Sequence, residues 1–212
     1  MVIDLTRCVG CYSCIIACKQ EHFLPPGIFW NRVLISETGE YPAVTKQMYP
    51  VQCNHCKEAI CVKVCPTGAT QQREDGIVWI DQDKCIGCRY CLIACPYQSR
   101  VFCANSDKEY FPGQGLTDFE KIGKLLYPCQ AGTVLKCNFC IERIDIAFGQ
   151  GLELGVDREA TPACVITCPT KARYFGDLDD PYSEVSILIR KLRGFQLHLD
   201  YDTNPSIYYI NR

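Results

Sequence analysis

The sequence predicts an α+β fold of two compact cysteine-rich units, one inserted in the other, with long loops and a C-terminal helical tail. Three observations carry that expectation. Eighteen of the 212 residues are cysteine, and sixteen of these fall into four short runs. The stretches between the runs hold Gly and Pro turn signals and only short strand or helix patterns. The last stretch, residues 177–212, has no cysteine and reads as a helix followed by a strand.

The third run is Cys85-x2-Cys88-x2-Cys91-x3-Cys95, followed by Pro96. That is the spacing of bacterial two-cluster ferredoxins, in which three thiolates hold one iron–sulfur cluster and the fourth ligates another. Two-residue gaps let a tight turn fold three sulfurs around one face of a cube. The fourth cysteine, one helical turn on, points away, and the proline halts the local structure. The first run, Cys8-x2-Cys11-x2-Cys14-x3-Cys18, repeats the pattern with Lys19 in place of the proline. The second, Cys53-x2-Cys56-x4-Cys61-x3-Cys65-Pro66, has a wider middle gap. The fourth is split: Cys137-x2-Cys140, then 23 residues, then Cys164-x3-Cys168-Pro169.

Disulfide scaffolds and zinc sites are the competing explanations of so much cysteine. Disulfide scaffolds are usually short secreted chains, whereas no apolar signal segment lies ahead of Cys8. Zinc knuckles use C-x2-C pairs but have no use for a third close thiolate. Iron–sulfur clusters therefore explain the runs, as four [4Fe-4S] centres. Swapping the fourth ligand within each unit assigns them. In the inner unit Cys53, Cys56, Cys61 and Cys95 hold one cluster, and Cys65, Cys85, Cys88 and Cys91 another. By elimination Cys8, Cys11, Cys14 and Cys168 hold a third, and Cys18, Cys137, Cys140 and Cys164 the last. The first and last runs must then meet in space. The expected organisation is an outer two-cluster unit of residues 1–52 and 104–176, an inserted inner unit of residues 53–103, and the tail 177–212. No catalytic residue is expected, since no open metal position, nucleophile set or phosphate loop is evident.

The intervening stretches complete the reading. Residues 19–52 are a spacer with a strand over Phe29 to Ile35. His55 lies inside the second run and, with a full cysteine set available, is read as lying beside a centre or exposed. Asp75-Gly76 turns a short hairpin between runs two and three. Residues 104–136 read mostly as loop, Glu142 to Phe148 as a short helix, and Gly149 to Asp157 as loop. Cys103 and Cys129 lie outside the runs and read as small buried hydrophobes with inert thiols, a disulfide between them being the minor alternative. In the tail, Asp180-Pro181 caps a helix with apolar face Val185, Leu188, Ile189 and Leu192, and Ser206 to Ile210 reads as a strand.

Charge excludes some partners. The formal value is −2, with no basic stripe, so nucleic acid is not expected. Four oxidised four-iron clusters at about −2 each would take the holo-protein to about −10. Arg7, Lys19, Lys57, Lys63, Lys84, Arg89, Lys136, Arg143 and Lys171 lie close in sequence to cysteines and offer partial compensation. No run approaches the length of a membrane span.

At this point the chain resembles the four-cluster electron-transfer subunits of molybdenum or tungsten oxidoreductases of the dimethyl sulfoxide reductase family. The likeness covers nearly the whole chain. It includes Met1-Val2-Ile3-Asp4, Cys61-Val62-Lys63-Val64-Cys65-Pro66-Thr67-Gly68-Ala69, Thr161-Pro162-Ala163-Cys164 and Gly176-Asp177-Leu178-Asp179-Asp180-Pro181. Subunits of arsenate, thiosulfate and polysulfide reductases and of phenylacetyl-CoA:acceptor oxidoreductase are similar. The resemblance implies a large catalytic partner holding the metal in a bis-pterin cofactor. It implies a second partner too, a quinone-reactive membrane subunit or a soluble carrier. It places the complex in a prokaryote at the cytoplasmic membrane, either exported folded with a signal-bearing partner or kept in the cytoplasm. It also implies an order: the Cys8 set nearest the catalytic subunit, then the Cys18 set, the Cys65 set and, at the far end, the Cys53 set. A free polyferredoxin shuttle is the alternative. The long spacer, insertion and tail favour a permanent interface instead.

Overall fold

The computed structural model describes residues 1–106 and 109–211. Strand β1 (Val2–Asp4) is fully buried, and α1 (Ser13–Glu21) carries Cys14 and Cys18. Strands β2 (Arg32–Thr38) and β3 (Thr45–Val51) form an antiparallel hairpin from Arg32↔Val51 to Thr38↔Thr45. The strand expected over Phe29 to Ile35 is thus shifted toward the C-terminus. Ile28 and Trp30 turn inward against Leu24 and Leu135 instead of joining the ladder. Helix α2 (Ile60–Lys63) follows the second run's loop. Strands β4 (Thr70–Gln72) and β5 (Val78–Ile80) pair around the Asp75-Gly76 turn as expected. Next come α3 (Tyr90–Ile93) and β6 (Val101–Cys103).

Residues 104–136 depart from the sequence reading. They contain a helix, α4 (Asp118–Leu126), and β7 (Thr133–Leu135), which pairs with β6. The helix is started by a capping box. Glu120 N donates to Thr117 Oγ1, and Thr117 N donates to Glu120 Oε2 at 2.8 Å. Such a cap is worth about 1 kcal/mol. Helix α5 (Ile141–Gln150) ends at the left-handed Gly151. After α6 (Ala163–Ile166) and β8 (Arg173–Tyr174) comes the tail helix α7 (Glu184–Leu192). Its cap is Ser183, whose Oγ accepts from Ser186 N, rather than Asp180-Pro181. Asp180 closes the preceding turn by accepting from Tyr182 N. Strand β9 (Tyr208–Ile210) ends the described chain's elements.

The strand order β8-β1-β9 makes the central sheet, with β1–β8 antiparallel and β1–β9 parallel. Val185, with Leu188, Ile189 and Leu192, packs on Val2 and Ile210, so the tail covers this chain itself. Full burial of a side chain such as Val185 contributes about 1.5–3 kcal/mol. The tail also stitches over the second run: Lys57 N donates to Asn204 O, Ser206 N to Asn54 O and Ser206 Oγ to His55 O. The main core mixes Ile3, Leu5, Ile144, Ile207 and Tyr209 with Cys14, Cys53, Cys137 and Cys164. Cysteines from three runs therefore sit at its centre. Among the described residues no helix is long and apolar enough to cross a membrane.

Candidate iron–sulfur centres

One backbone bend recurs in all four runs. The residue before the second cysteine is left-handed: Gly10 (φ 68), His55 (φ 43), Gly87 (φ 67) and Phe139 (φ 59). Glycine takes this conformation without strain. At Gly87 it also gives room, because a Cβ there would lie 2.0 Å from Gly132 O. His55 and Phe139 adopt the same bend at a cost of about 1–2 kcal/mol each. What offsets it is packing: their rings stack at 3.7 Å between centroids, 16° from parallel. His55 Nδ1 accepts from Val78 N at 3.0 Å. The exposed placement considered for His55 is therefore wrong; it is 1% exposed and clamps the second run against the fourth and β5.

Two of the four expected sets line recesses. Cys8, Cys11, Cys14 and Cys168 line one recess with Pro50 and Arg173. Cys65, Cys85, Cys88 and Cys91 line another with Thr67, Thr70 and Val134. Cys18 lies within electrostatic reach of Cys137, Cys164 and Cys140, and burial holds its thiol well above the ordinary range. Cys56 likewise faces Cys53, Cys61 and Cys95; burial, then those neighbours, push it up to about 12 against an opposing Thr203 hydroxyl. Cys137 is pushed up to about 12, burial again leading. Four such sulfurs can all be thiolates only when bound cations join them.

The residues fit iron–sulfur clusters better than single ions. Thiolates around a zinc lie about 2.3 Å from it and crowd one point. Among the described residues no three His, Cys, Asp or Glu side chains converge in that way. Two of the quartets instead line recesses. Their surroundings also call for negative charge. Arg173 is 4% exposed, with Nη1 3.6 Å from Cys164 Sγ and Nη2 3.3 Å from Gln52 Oε1. A buried guanidinium stays charged and needs an anion beside it.

The neighbour relations between sets run in one line. Cys164 adjoins Cys14, linking the Cys18 set to the Cys8 set. Cys137 adjoins Cys53, and both lie in the main core. Cys91 adjoins Cys61. Cys53, and not a cysteine of the third run, shares the main core with Cys137 of the fourth run, which departs from the order drawn from the resemblance, where the Cys53 set stood at the far end. The physical reason is the His55–Phe139 stack, which holds the second run against the fourth and leaves the third run outermost, with Cys88 exposed.

Several of the cations expected near cysteines are placed otherwise than as simple counter-charges. Lys136 is buried and donates to Val78 O and Cys137 O, tying β5 to the fourth run. Lys19 Nζ donates to Leu24 O, Pro25 O and Ile28 O, and burial draws its pKa down to about 8. Lys63 and Lys84 pair with Glu58 and Asp81 at the surface. Arg143 holds Glu21, joining α5 to α1.

Sequence reasoning missed His22, Arg100 and Arg173. His22 Nε2 is 3.4 Å from Cys140 Sγ, and its ring packs on Trp30 at 4.5 Å. Burial pulls its pKa down to about 4, so the ring is neutral and can offer an N–H to the sulfur. Nothing in the cysteine spacing points to it. The two arginines do carry a signal: each stands five residues beyond the last cysteine of its run.

Cys103 and Cys129 lie outside the quartets as free thiols, Cys103 fully buried. Cys129 Sγ donates to Cys103 Sγ at 2.9 Å, and burial pushes the Cys129 thiol up. Cys129→Ala is expected to leave iron content unchanged in metal analysis, whereas Cys140→Ala loses about four irons.

Short ferredoxin-like cysteine loops, sulfurs gathered in groups and an α+β frame define an iron–sulfur protein. Known proteins agree and go further. A family described as a 4Fe-4S dicluster domain matches residues 44–110, and one described as a 4Fe-4S binding domain matches residues 5–21. The chain is 45% identical to a dimethyl sulfoxide reductase iron–sulfur subunit of Halobacterium salinarum, over 100% of this chain and 78% of that protein. It is 40% identical to a selenate reductase subunit of Mesobacillus selenatarsenatis, over 99% of this chain and 70% of that one. It is 37% identical to an arsenate respiratory reductase iron–sulfur subunit of a Shewanella species, over 99% and 94%. The chain thus belongs to the family of iron–sulfur subunits of dimethyl sulfoxide reductase-type complexes. It is a non-catalytic electron-transfer subunit that carries [4Fe-4S] clusters, and the free-shuttle alternative is not favoured.

Proposed function

We propose that this subunit carries four [4Fe-4S] clusters in series between a molybdenum or tungsten pterin subunit and a quinone-reactive membrane subunit or soluble carrier. The ligand sets are Cys8, Cys11, Cys14 and Cys168; Cys18, Cys137, Cys140 and Cys164; Cys53, Cys56, Cys61 and Cys95; and Cys65, Cys85, Cys88 and Cys91. The observation that carries the proposal is that each quartet gathers in space with its fourth sulfur drawn from the other run of its unit. That exchange supports two nested units, residues 53–103 within 1–52 and 104–176, with 177–212 as a covering tail. Each cluster supplies one-electron transfer. The chain's part is to fix the sulfurs, keep water from the inner sets and leave the outermost set near the surface. The Cys8 set faces the catalytic subunit and the Cys65 set the external partner. The complex works at the cytoplasmic membrane.

Anaerobically purified protein is expected to hold about sixteen irons, four per cluster. Metal analysis with quantitative electron paramagnetic resonance decides it. Iron near eight, or zinc at comparable levels, refutes the four-cluster reading.

A further inference from the structure

Two arginines are buried where the fold offers them no carboxylate. Arg173 is 4% and Arg100 7% exposed. Arg173 reaches Cys164 Sγ, Met1 Sδ and Gln52 Oε1. Arg100 Nη1 donates to Thr70 Oγ1 at 3.3 Å, while its Nη2, fully buried, finds no hydrogen-bond partner. Among the described residues neither forms an ion pair with Asp or Glu. Leaving a cation so placed without an anion is strongly unfavourable.

Sulfur surrounds both. Arg173 lies beside Cys164, Cys14 and Cys137, and also acts on Cys8 and Cys18. Those cysteines belong to both sets of the outer unit. Arg100 donates to Thr70, which lines the recess of Cys65, Cys85, Cys88 and Cys91, and its charge acts on Cys61, Cys91, Cys53 and Cys95. Those belong to both sets of the inner unit. Each arginine follows the last cysteine of its run, Cys168 or Cys95, by five residues with a proline directly after the cysteine. The same offset in two runs delivers one cation to the seam of each pair.

We propose that Arg100 and Arg173 are shared counter-charges, each raising the reduction potentials of two neighbouring clusters together. The sign follows from electrostatics. Reduction adds an electron to an already anionic cluster, and a fixed cation favours the more negative form. Low surrounding dielectric strengthens the effect. Cluster potentials respond to net charge, to hydrogen bonds on sulfur and to solvent exposure. One cation at each seam shifts both clusters of a pair in the same direction, so each pair can be tuned as a unit. These are positioning residues for electron flow, and the proposal rests on the ligand sets given above.

The test is a redox titration of the intact purified complex followed by electron paramagnetic resonance. The unmutated complex comes first, since fewer than four clusters there would overturn the ligand sets rather than this inference. Arg173→Met is expected to lower the midpoints of both outer-unit clusters. The shift should change the reduced-to-oxidised ratio at least tenfold at fixed potential, 59 mV for one electron. The inner pair should stay unmoved. Arg100→Met should do the reverse, and Arg→Lys at either position should restore the potentials. Movement of a single cluster, of all four alike, or of none overturns the proposal. If Arg173→Met loses clusters outright, the loss should be confined to the outer pair and be rescued by Arg173→Lys. Loss that lysine does not rescue also overturns it, because packing and not charge would then be the cause.

Discussion

Stripped of iron by an anaerobic chelator, the chain is expected to lose its cooperative thermal transition entirely. Its secondary structure cannot stand alone. The longest helix among the described residues, Ile141–Gln150, has ten residues, below the roughly 12–15 at which an isolated helix becomes marginal. The central sheet has strands of two and three residues. Packing does not replace the clusters, because Cys14, Cys53, Cys137 and Cys164 are themselves members of the main core. Arg100 and Arg173 would be left buried without anions, at several kcal/mol each. A domain's whole stability is only about 5–15 kcal/mol. Near-ultraviolet circular dichroism and calorimetry before and after iron removal check this. A sharp transition surviving in the apo-chain would mean that the polypeptide frame is self-sufficient.

Cysteine spacing points to the proposed quartets because a cluster takes most of its ligands at short sequence range. Cys85, Cys88 and Cys91 must come from one tight loop, and Gly87 marks the bend that brings them round. Partners of the swapped sulfurs followed from counting. What spacing could not tell was how the two cysteine units sit against each other. That is fixed by a side-chain contact, the His55–Phe139 stack, between residues that look interchangeable with the Gly10 and Gly87 of the other runs. The neighbour order differs from the resemblance for that reason.

The helix in the insertion was hidden for a different one. Thr117-x-x-Glu120 is a capping box, and flanking Gly and Pro residues outweigh it in the sequence. Tertiary contact then fixes α4 in place. Phe119 packs on Phe23 at 4.7 Å, and Gly123 sits so close to Phe23 that a Cβ would fall 2.5 Å from its side chain. Leu125 and Leu126 on the same helix remain 83% and 64% exposed. Arg100 and Arg173 stand farther along the chain from their cysteines than the cations that proximity in sequence suggests as counter-charges.

In a complex whose clusters have been reduced in advance, Cys56→Ala is expected to strand electrons on the Cys65 set when an oxidant is supplied to the catalytic subunit. Cys88→Ala is expected to let every remaining cluster drain. The argument is one of series connection. Cys164 feels Cys14, Cys137 feels Cys53, and Cys91 feels Cys61, which supports placing the sets one after another along a line. Loss of the Cys53 set cuts the Cys65 set from the enzyme. Loss of the Cys65 set removes only the terminus, where Cys88 meets solvent. Turnover with the natural external partner should collapse in both variants. A small viologen dye, able to reach nearer clusters, should still support turnover in both. Cys11→Ala, in the set proposed to face the enzyme, should abolish turnover with either donor. Rapid-freeze electron paramagnetic resonance resolves which cluster is reoxidised. Stranding in Cys88→Ala with full drainage in Cys56→Ala would reverse the two inner-unit sets and restore the order that the resemblance implied.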